Sequence, residues 1–326
     1  MSTPRFDITG IGNAIVDVVS PADHGFLSKH DMHPGSMALI DADRAEALYV
    51  AMPPGQESSG GSVANSCAVA AALGARVAYL GKVADDALGR VFSTEIGASG
   101  VFFPSAPLVA GAPTARCLIL VTPDGQRTMN TFLGACVAFG ESDVDEALIA
   151  DSAVLYLEGY LFDPPAAQAA FRAAARAARR AGRQVALSLS DAFCVDRHRA
   201  AFLEFLADVD ILFANEAEIC SLYEANDFAV AAEAARKDVT IAALTQSEAG
   251  SLILRGDETV RVAAEAATLV DSTGAGDAYA AGFLTAYTAG RDLSVCGRLG
   301  SLAAAEIISH YGARPVADLS QLLSQT

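Results

Sequence analysis

The sequence predicts an α/β protein, a three-layer sandwich with a mostly parallel central sheet and a small β-sheet lid. Three observations carry that expectation. From residue 154 onward, apolar strand-like runs alternate with helical stretches, the pattern of a parallel sheet covered on both faces. Around 13–44 and 111–136 strand-like runs follow one another with no helical pattern between them. The run Asp271-Ser272-Thr273-Gly274-Ala275-Gly276-Asp277 opens a helix that is almost uniformly apolar as far as Gly290.

Taken in order, 6–11 is a short strand that ends at Gly12 and Asn13, and 15–19 is a β-branched strand. A third strand over 36–40 follows the turn at Pro34-Gly35. Strands without an intervening helix suggest a local antiparallel piece. Gly60-Gly61-Ser62 then opens an Ala-rich helix to Gly74, followed by a strand over 76–81 and a helix around 89–97. A turn at Pro123-Asp124-Gly125 joins strands over 115–121 and 127–132 into a hairpin. Asp163-Pro164-Pro165 caps a helix that runs to Gly182. Strands over 185–189, 211–214, 240–245 and 251–254 complete the alternation. The expected domains are a large α/β unit from 1–12, 45–110 and 137–326, and a lid from 13–44 and 111–136.

Composition bounds the function. A chain of 326 residues buries roughly 75% of its unfolded surface and needs no metal or disulfide staple. Its six cysteines are scattered without a C-x-x-C pair, as expected of reduced thiols in a cytoplasmic protein. A formal net charge of −17 opposes nucleic-acid binding and means that any phosphate site must be locally positive. No apolar run is long enough to span a bilayer, and the start, Met1-Ser2-Thr3-Pro4-Arg5, carries no export pattern.

The chemistry-bearing residues fall where strands are expected to end, which is where open α/β sheets bind ligands. The amides of Gly274, Ala275 and Gly276 at a helix N-terminus form an anion site, and Asp277 in the first turn could take a proton from a hydroxyl. Asn13 and Asp17 could grip vicinal hydroxyls. Gly60 and Gly61 let the backbone approach a ligand, with Asn65 one turn on. Asn215 and Glu218 could serve Mg²⁺ through water. Arg127 suits a phosphate. Each also fits ordinary turn chemistry, helix capping or a solvated surface when taken alone.

Together these strings carry more. Asp271–Asp277 resembles the second signature of the ribokinase/adenosine kinase superfamily, the PfkB-type carbohydrate kinases, written D-T-x-G-A-G-D, with Ser272 in place of Thr. Gly-Ile-Gly-Asn, Gly-Gly-Ser, Pro-Asp-Gly-Gln-Arg-Thr and Asn-x-x-Glu occur in family order over nearly the whole chain, closest to bacterial adenosine kinase-like members. The resemblance implies a ribokinase-like fold, ATP, Mg²⁺ and a small-molecule acceptor, and leaves a monovalent cation open. It implies that Asp277 is the catalytic base and that Gly274, Ala275 and Gly276 form the anion hole. Asn13, Asp17, Gly60, Gly61, Asn65 and Arg127 would hold substrate. Asn215, Thr245, Ser247, Gly250 and Thr273 would meet the nucleotide, and Glu218 would serve Mg²⁺. Ser247 stands where the family's T-x-G-x-x-G loop has Gly. The spacing Gly-Asn-x-x-x-Asp is similar to nucleoside kinases, which favours the 5′-hydroxyl of a purine nucleoside, adenosine first. A sugar or sugar acid is the alternative acceptor, and a non-catalytic sensor with this fold is a third reading. The expected protein is a monomer or homodimer.

Overall fold

The protein's structure, a computed structural model, describes residues 3–326, so Met1 and Ser2 of the amino-terminal run and of the expected large domain lie outside it. In chain order the strands are β1 (Phe6–Ile11), β2 (Ile15–Pro21), β3 (Met37–Leu39), β4 (Gln56–Gly60), β5 (Val77–Leu80), β6 (Val101–Phe102), β7 (Ala115–Val121), β8 (Arg127–Phe132), β9 (Ser152–Glu158), β10 (Gln184–Ser188), β11 (Ile211–Asn215), β12 (Ile241–Thr245), β13 (Ser251–Arg255) and β14 (Glu258–Val262). The helices are α1 (His24–Lys29), α2 (Ala42–Ala51), α3 (Ser62–Ala72), α4 (Ala87–Ala98), α5 (Glu146–Ala150), α6 (Pro165–Arg180), α7 (Ala192–Phe205), α8 (Glu216–Leu222), α9 (Phe228–Asp238), α10 (Ala275–Thr288), α11 (Leu293–Ile307) and α12 (Leu322–Gln325).

A nine-stranded sheet runs in the order β14-β13-β12-β11-β10-β9-β1-β5-β6. It is parallel from β12 through β6, and only the pairs β12–β13 and β13–β14 are antiparallel. The central strands are short apolar runs because both of their faces are covered. One core lies between this sheet and α3, α10 and α11, and the other between it and α5, α6, α8 and α9. Within α10, Ala278 to Ala286 are all buried, so the helix passes through the first core rather than over it. Gly290 ends it, its N–H donating to the Tyr287 carbonyl.

The smaller sheet has five strands in the order β3-β8-β7-β2-β4. Here the structure departs from the expected antiparallel piece. A short helix, α1, capped by the Asp23 carboxylate, separates β2 from β3, and the two strands do not pair with each other. Instead β2 runs parallel to β7, and β3 runs parallel to β8. Partners from a distant stretch of chain decide the orientation, and local patterning does not register them. The expected boundaries also change, because β4 falls inside 45–110 yet pairs antiparallel with β2. Its sequence, Gln-Glu-Ser-Ser-Gly, has no apolar alternation by which to read it as a strand.

Candidate active site

The register of the small sheet sets the first wall of the site. Asp17 stands opposite Cys117, Cys117 opposite Thr131, and Thr131 opposite Leu39. The next row in register is Val19, Ile119, Met129 and Met37. Strand periodicity turns residues of both rows to one face, so Asp17 adjoins a largely apolar platform. Met37 and Leu39 are 46% and 54% exposed there, an uncovered patch beside a cavity. Phe193, at the start of α7 on the far wall, is 66% exposed, with the Arg197 guanidinium 4.6 Å from its ring centroid.

The second wall is the N-terminus of α10. Gly274 is its N-cap at φ +79°, a left-handed conformation that glycine adopts without strain, and its side contributes no cap. The Ala275 amide, expected to face the anion, instead donates to the Ser272 carbonyl at 3.2 Å, while those of Gly276 and Asp277 have no backbone acceptor among the described residues. A Cβ built on Gly276 would meet nothing within 4 Å, so the space in front of these donors is open to a ligand. That is the arrangement that receives an anion. Asp277 lies at its edge, accepting from Ser62 Oγ at 2.6 Å and from Asn65 Nδ2 at 3.3 Å. Burial pushes its carboxyl up to about 6, against those two hydrogen bonds and the charge of Arg314, which pull it down. Burial likewise raises Asp17 to about 6, opposed by Arg314 and Arg127.

Between the walls lies a cavity of about 650 Å³. It is lined by Asn13, Asp17, Gly61, Asn65, Asn215, Glu218, Thr245, Thr273, Gly274, Ala275, Gly276 and Asp277, so most of the expected site residues meet in one place. Gly61, at φ +101°, turns the chain from β4 into α3 beside the Asn13 carbonyl, with no room for a Cβ. Gly60 is not on the cavity wall. It stands behind Asp17, where a side chain would strike the carboxylate. Ser247 and Gly250 also stay off the wall, in a tight turn after β12. Ser247 keeps a left-handed φ of +48°, so the backbone retains the course that glycine would favour. Arg127 is turned away from the cavity. It pairs with Asp271, donates to Thr273 Oγ at 3.2 Å and lines a separate groove with Tyr311.

Asn215 and Glu218 close a reciprocal cap on α8, each accepting from the other's chain segment. Burial pushes the Glu218 carboxyl up to about 7, and the charges of Asp191 and Asp277 add to the rise. Among the described residues no group of three or more His, Cys, Asp and Glu could cage a metal ion. The corner offers surplus negative charge rather than open ligands, which fits a hydrated dication carried on phosphates.

Four contributors were missed from the sequence. Ser62 Oγ donates to the Asp277 carboxylate and Ser66 Oγ to the Asp277 main-chain carbonyl at 3.0 Å, and the Gly-Gly-Ser string contained the signal for them. Glu158 ends β9 and accepts from Asn13 Nδ2 at 2.7 Å and from Val63 N at 2.9 Å. Arg314, near the carboxyl end, had no motif to mark it.

The family description "pfkB family carbohydrate kinase" matches residues 36–319. The chain belongs to the pfkB family of carbohydrate kinases. This pfkB-family member is similar to the adenosine kinase of Sinorhizobium meliloti at 51% identity and TM-score 0.91, covering 98% of this chain and 99% of that one. It is similar to a probable sugar kinase of Rhizobium etli at 48% identity and TM-score 0.92, covering 99% and 98%. The adenosine kinase of Dictyostelium discoideum is 27% identical over 93% of this chain and 94% of its own length. The protein is thus a small-molecule kinase, a phosphotransferase with an alcohol acceptor, and its family implies ATP as co-substrate. Among the described residues no helix is long and apolar enough to cross a membrane.

Proposed function

We propose that this kinase transfers the γ-phosphoryl group of ATP to the 5′-hydroxyl of a purine nucleoside, adenosine first. The observation that carries the reading is the small sheet's face toward the cavity, where one carboxylate, Asp17, stands beside the apolar row Val19, Ile119, Met129 and Met37. A ribose diol suits the carboxylate, and a flat base suits Leu39, Met37, Met129 and the exposed ring of Phe193. A free sugar would satisfy the polar end and leave the apolar platform wet.

With the diol at Asp17, the primary hydroxyl is directed toward Asp277, which acts as general base. The free amides at the start of α10 take the charge that develops on the transferring group. Positioning and charge neutralisation do most of the work in phosphoryl transfer, and closure of the small sheet as a lid keeps water from competing with the acceptor. Mg²⁺, held through water near Glu218 and Asn215, would supply neutralisation of phosphate charge when bound. Thr245 and Thr273, which line the cavity, would meet the nucleotide.

The test is ADP release with adenosine, guanosine, inosine, cytidine, ribose, fructose and 2-keto-3-deoxygluconate. Adenosine should give the highest kcat/KM, and 2′-deoxyadenosine should be poor, because a site built to bond a hydroxyl rejects the analogue lacking it. Asp17→Ala should erase the preference between the two. A free sugar that outperforms every nucleoside would sink the nucleoside reading and leave the family assignment standing.

A further inference from the structure

The segment Gly312-Ala313-Arg314, which follows α11, touches each part of the catalytic corner. Gly312 N donates to Asp271 Oδ2 at 3.1 Å. A Cβ on Gly274 would lie 2.6 Å from Ala313 Cβ, so Ala313 is packed directly on the N-cap of α10. Arg314 reaches across to the substrate side. Its Nε and Nη2 donate to the Ser59 carbonyl at 3.1 and 2.8 Å, and Nη2 also meets Ser59 Oγ at 3.0 Å. Its Nη1 donates to the Ala64 carbonyl at 2.8 Å. Ser59 leads into Gly60-Gly61, and Ala64 lies in the first turn of α3, so one guanidinium clamps both sides of that corner. The same turn of α3 carries Ser62 and Asn65, the donors to Asp277.

Among the described residues Arg314 has no carboxylate partner at ion-pair distance, and its acceptors are carbonyls and a hydroxyl. A guanidinium stays charged, and a buried charge without a direct partner is costly unless neighbouring charge offsets it. Asp17, Glu95 and Asp277 supply that field. The charged groups facing Asp277 are Asp17 from β2, Glu158 from β9, Glu218 from α8 and Arg314, with the phenols of Tyr156 and Tyr160 beside them. Arg314 is the one cation in the set.

We infer that Arg314 is a positioning residue for phosphoryl transfer, locking the Gly60–Gly61 corner against the turn of α3 whose Ser62 and Asn65 hold Asp277, and adding positive charge on that side of the site. The inference rests on Asp277 being the base. It assigns a role in the reaction to a segment outside the nucleotide and substrate motifs.

The experiment compares Asp277→Asn, Arg314→Gln and Arg314→Lys on the best acceptor of the panel, following kcat against pH where chemistry is the slow step, with acceptor KM and circular dichroism alongside. In Arg314→Gln the acid limb should move up by as much as about one pH unit, since a nearby opposite charge is what holds a carboxyl down, and acceptor KM should rise. In Arg314→Lys the charge remains and the fork is lost, so the limb should stay at its wild-type position while KM rises several-fold. If Arg314→Gln does not fold, Arg314→Lys decides: a displaced limb or an unchanged KM overturns the inference. A folded Arg314→Gln that is slow but keeps the wild-type limb also overturns it, leaving a structural brace. Should Asp277→Asn retain turnover, the base assignment fails and takes the inference with it. An inactive Asp277→Asn beside an unmoved limb in Arg314→Gln defeats the inference alone.

Discussion

Two side chains of α3 and the field of Arg314 converge on the Asp277 carboxylate. Its raised carboxyl, about 6, suits a base that must be ionised near neutrality yet still hold a proton. Asp277→Asn keeps the shape and removes the proposed base, so turnover should fall by about 10²–10⁴ while nucleotide binding and melting temperature stay near wild type. Near-wild-type turnover under chemistry-limited conditions would refute the assignment. The wild-type rate should fall as pH drops through about 6, because protonation removes the base. Asp277 was legible from seven consecutive residues, since a helix N-terminus with glycines is a local design. Glu158 was not, because a buried carboxylate at a strand end acquires its donors, Asn13 and Val63, only when β1 and α3 fold beside it.

At the scale of elements, the tie between the small sheet and the catalytic loop is the feature with a measurable consequence. Arg127 begins β8 and pairs with Asp271, whose carboxylate also accepts from Thr273 N at 3.1 Å, Thr273 Oγ at 2.7 Å and Gly312 N at 3.1 Å. The pair is largely buried, so removing one partner strands the other's charge. Arg127→Ala should therefore lower the melting temperature, and it should lower kcat more than it weakens acceptor binding, because the loop it steadies carries the proposed anion site. A lower melting temperature with kinetics untouched would reduce Arg127 to a structural tie. The hairpin of β7 and β8 and its turn were readable from Pro123-Asp124-Gly125. The partner of Arg127 lies 144 residues away, and no local pattern encodes that distance.

For the whole molecule, crowding carboxylates into one cavity has a cost that depends on pH. Burial raises Glu158 and Glu218 from 4.5 to about 7, and Asp17 and Asp277 from 3.8 to about 6. A raised folded-state pKa means that the folded chain binds more protons than the unfolded chain across that interval. The stability from these groups is therefore greatest at the acid end and is lost as pH rises toward about 7. In Glu218→Gln that share of the slope disappears, so its melting temperature should gain on wild type as pH is raised from 4.5 to about 7. Calorimetry over that range gives the answer, and parallel curves for the two proteins would contradict it.

The sequence by itself determined the strand–helix alternation of the large sheet, the apolar course of α10 and the glycine–carboxylate string at its head. Each is written in neighbouring residues, through periodicity, caps and the conformational needs of glycine. It also fixed which motifs share the strand ends, because parallel sheets gather ligands there. Only the tertiary structure decided that β2 and β3 take β7 and β8 as parallel partners, that the polar strand β4 joins the small sheet, and that Arg127 turns to Asp271. It alone placed Arg314 behind the Gly60–Gly61 corner, 255 residues along the chain from Ser59. Those are pairings across long sequence separations, and the energy that selects them arises only when the separate stretches are packed together.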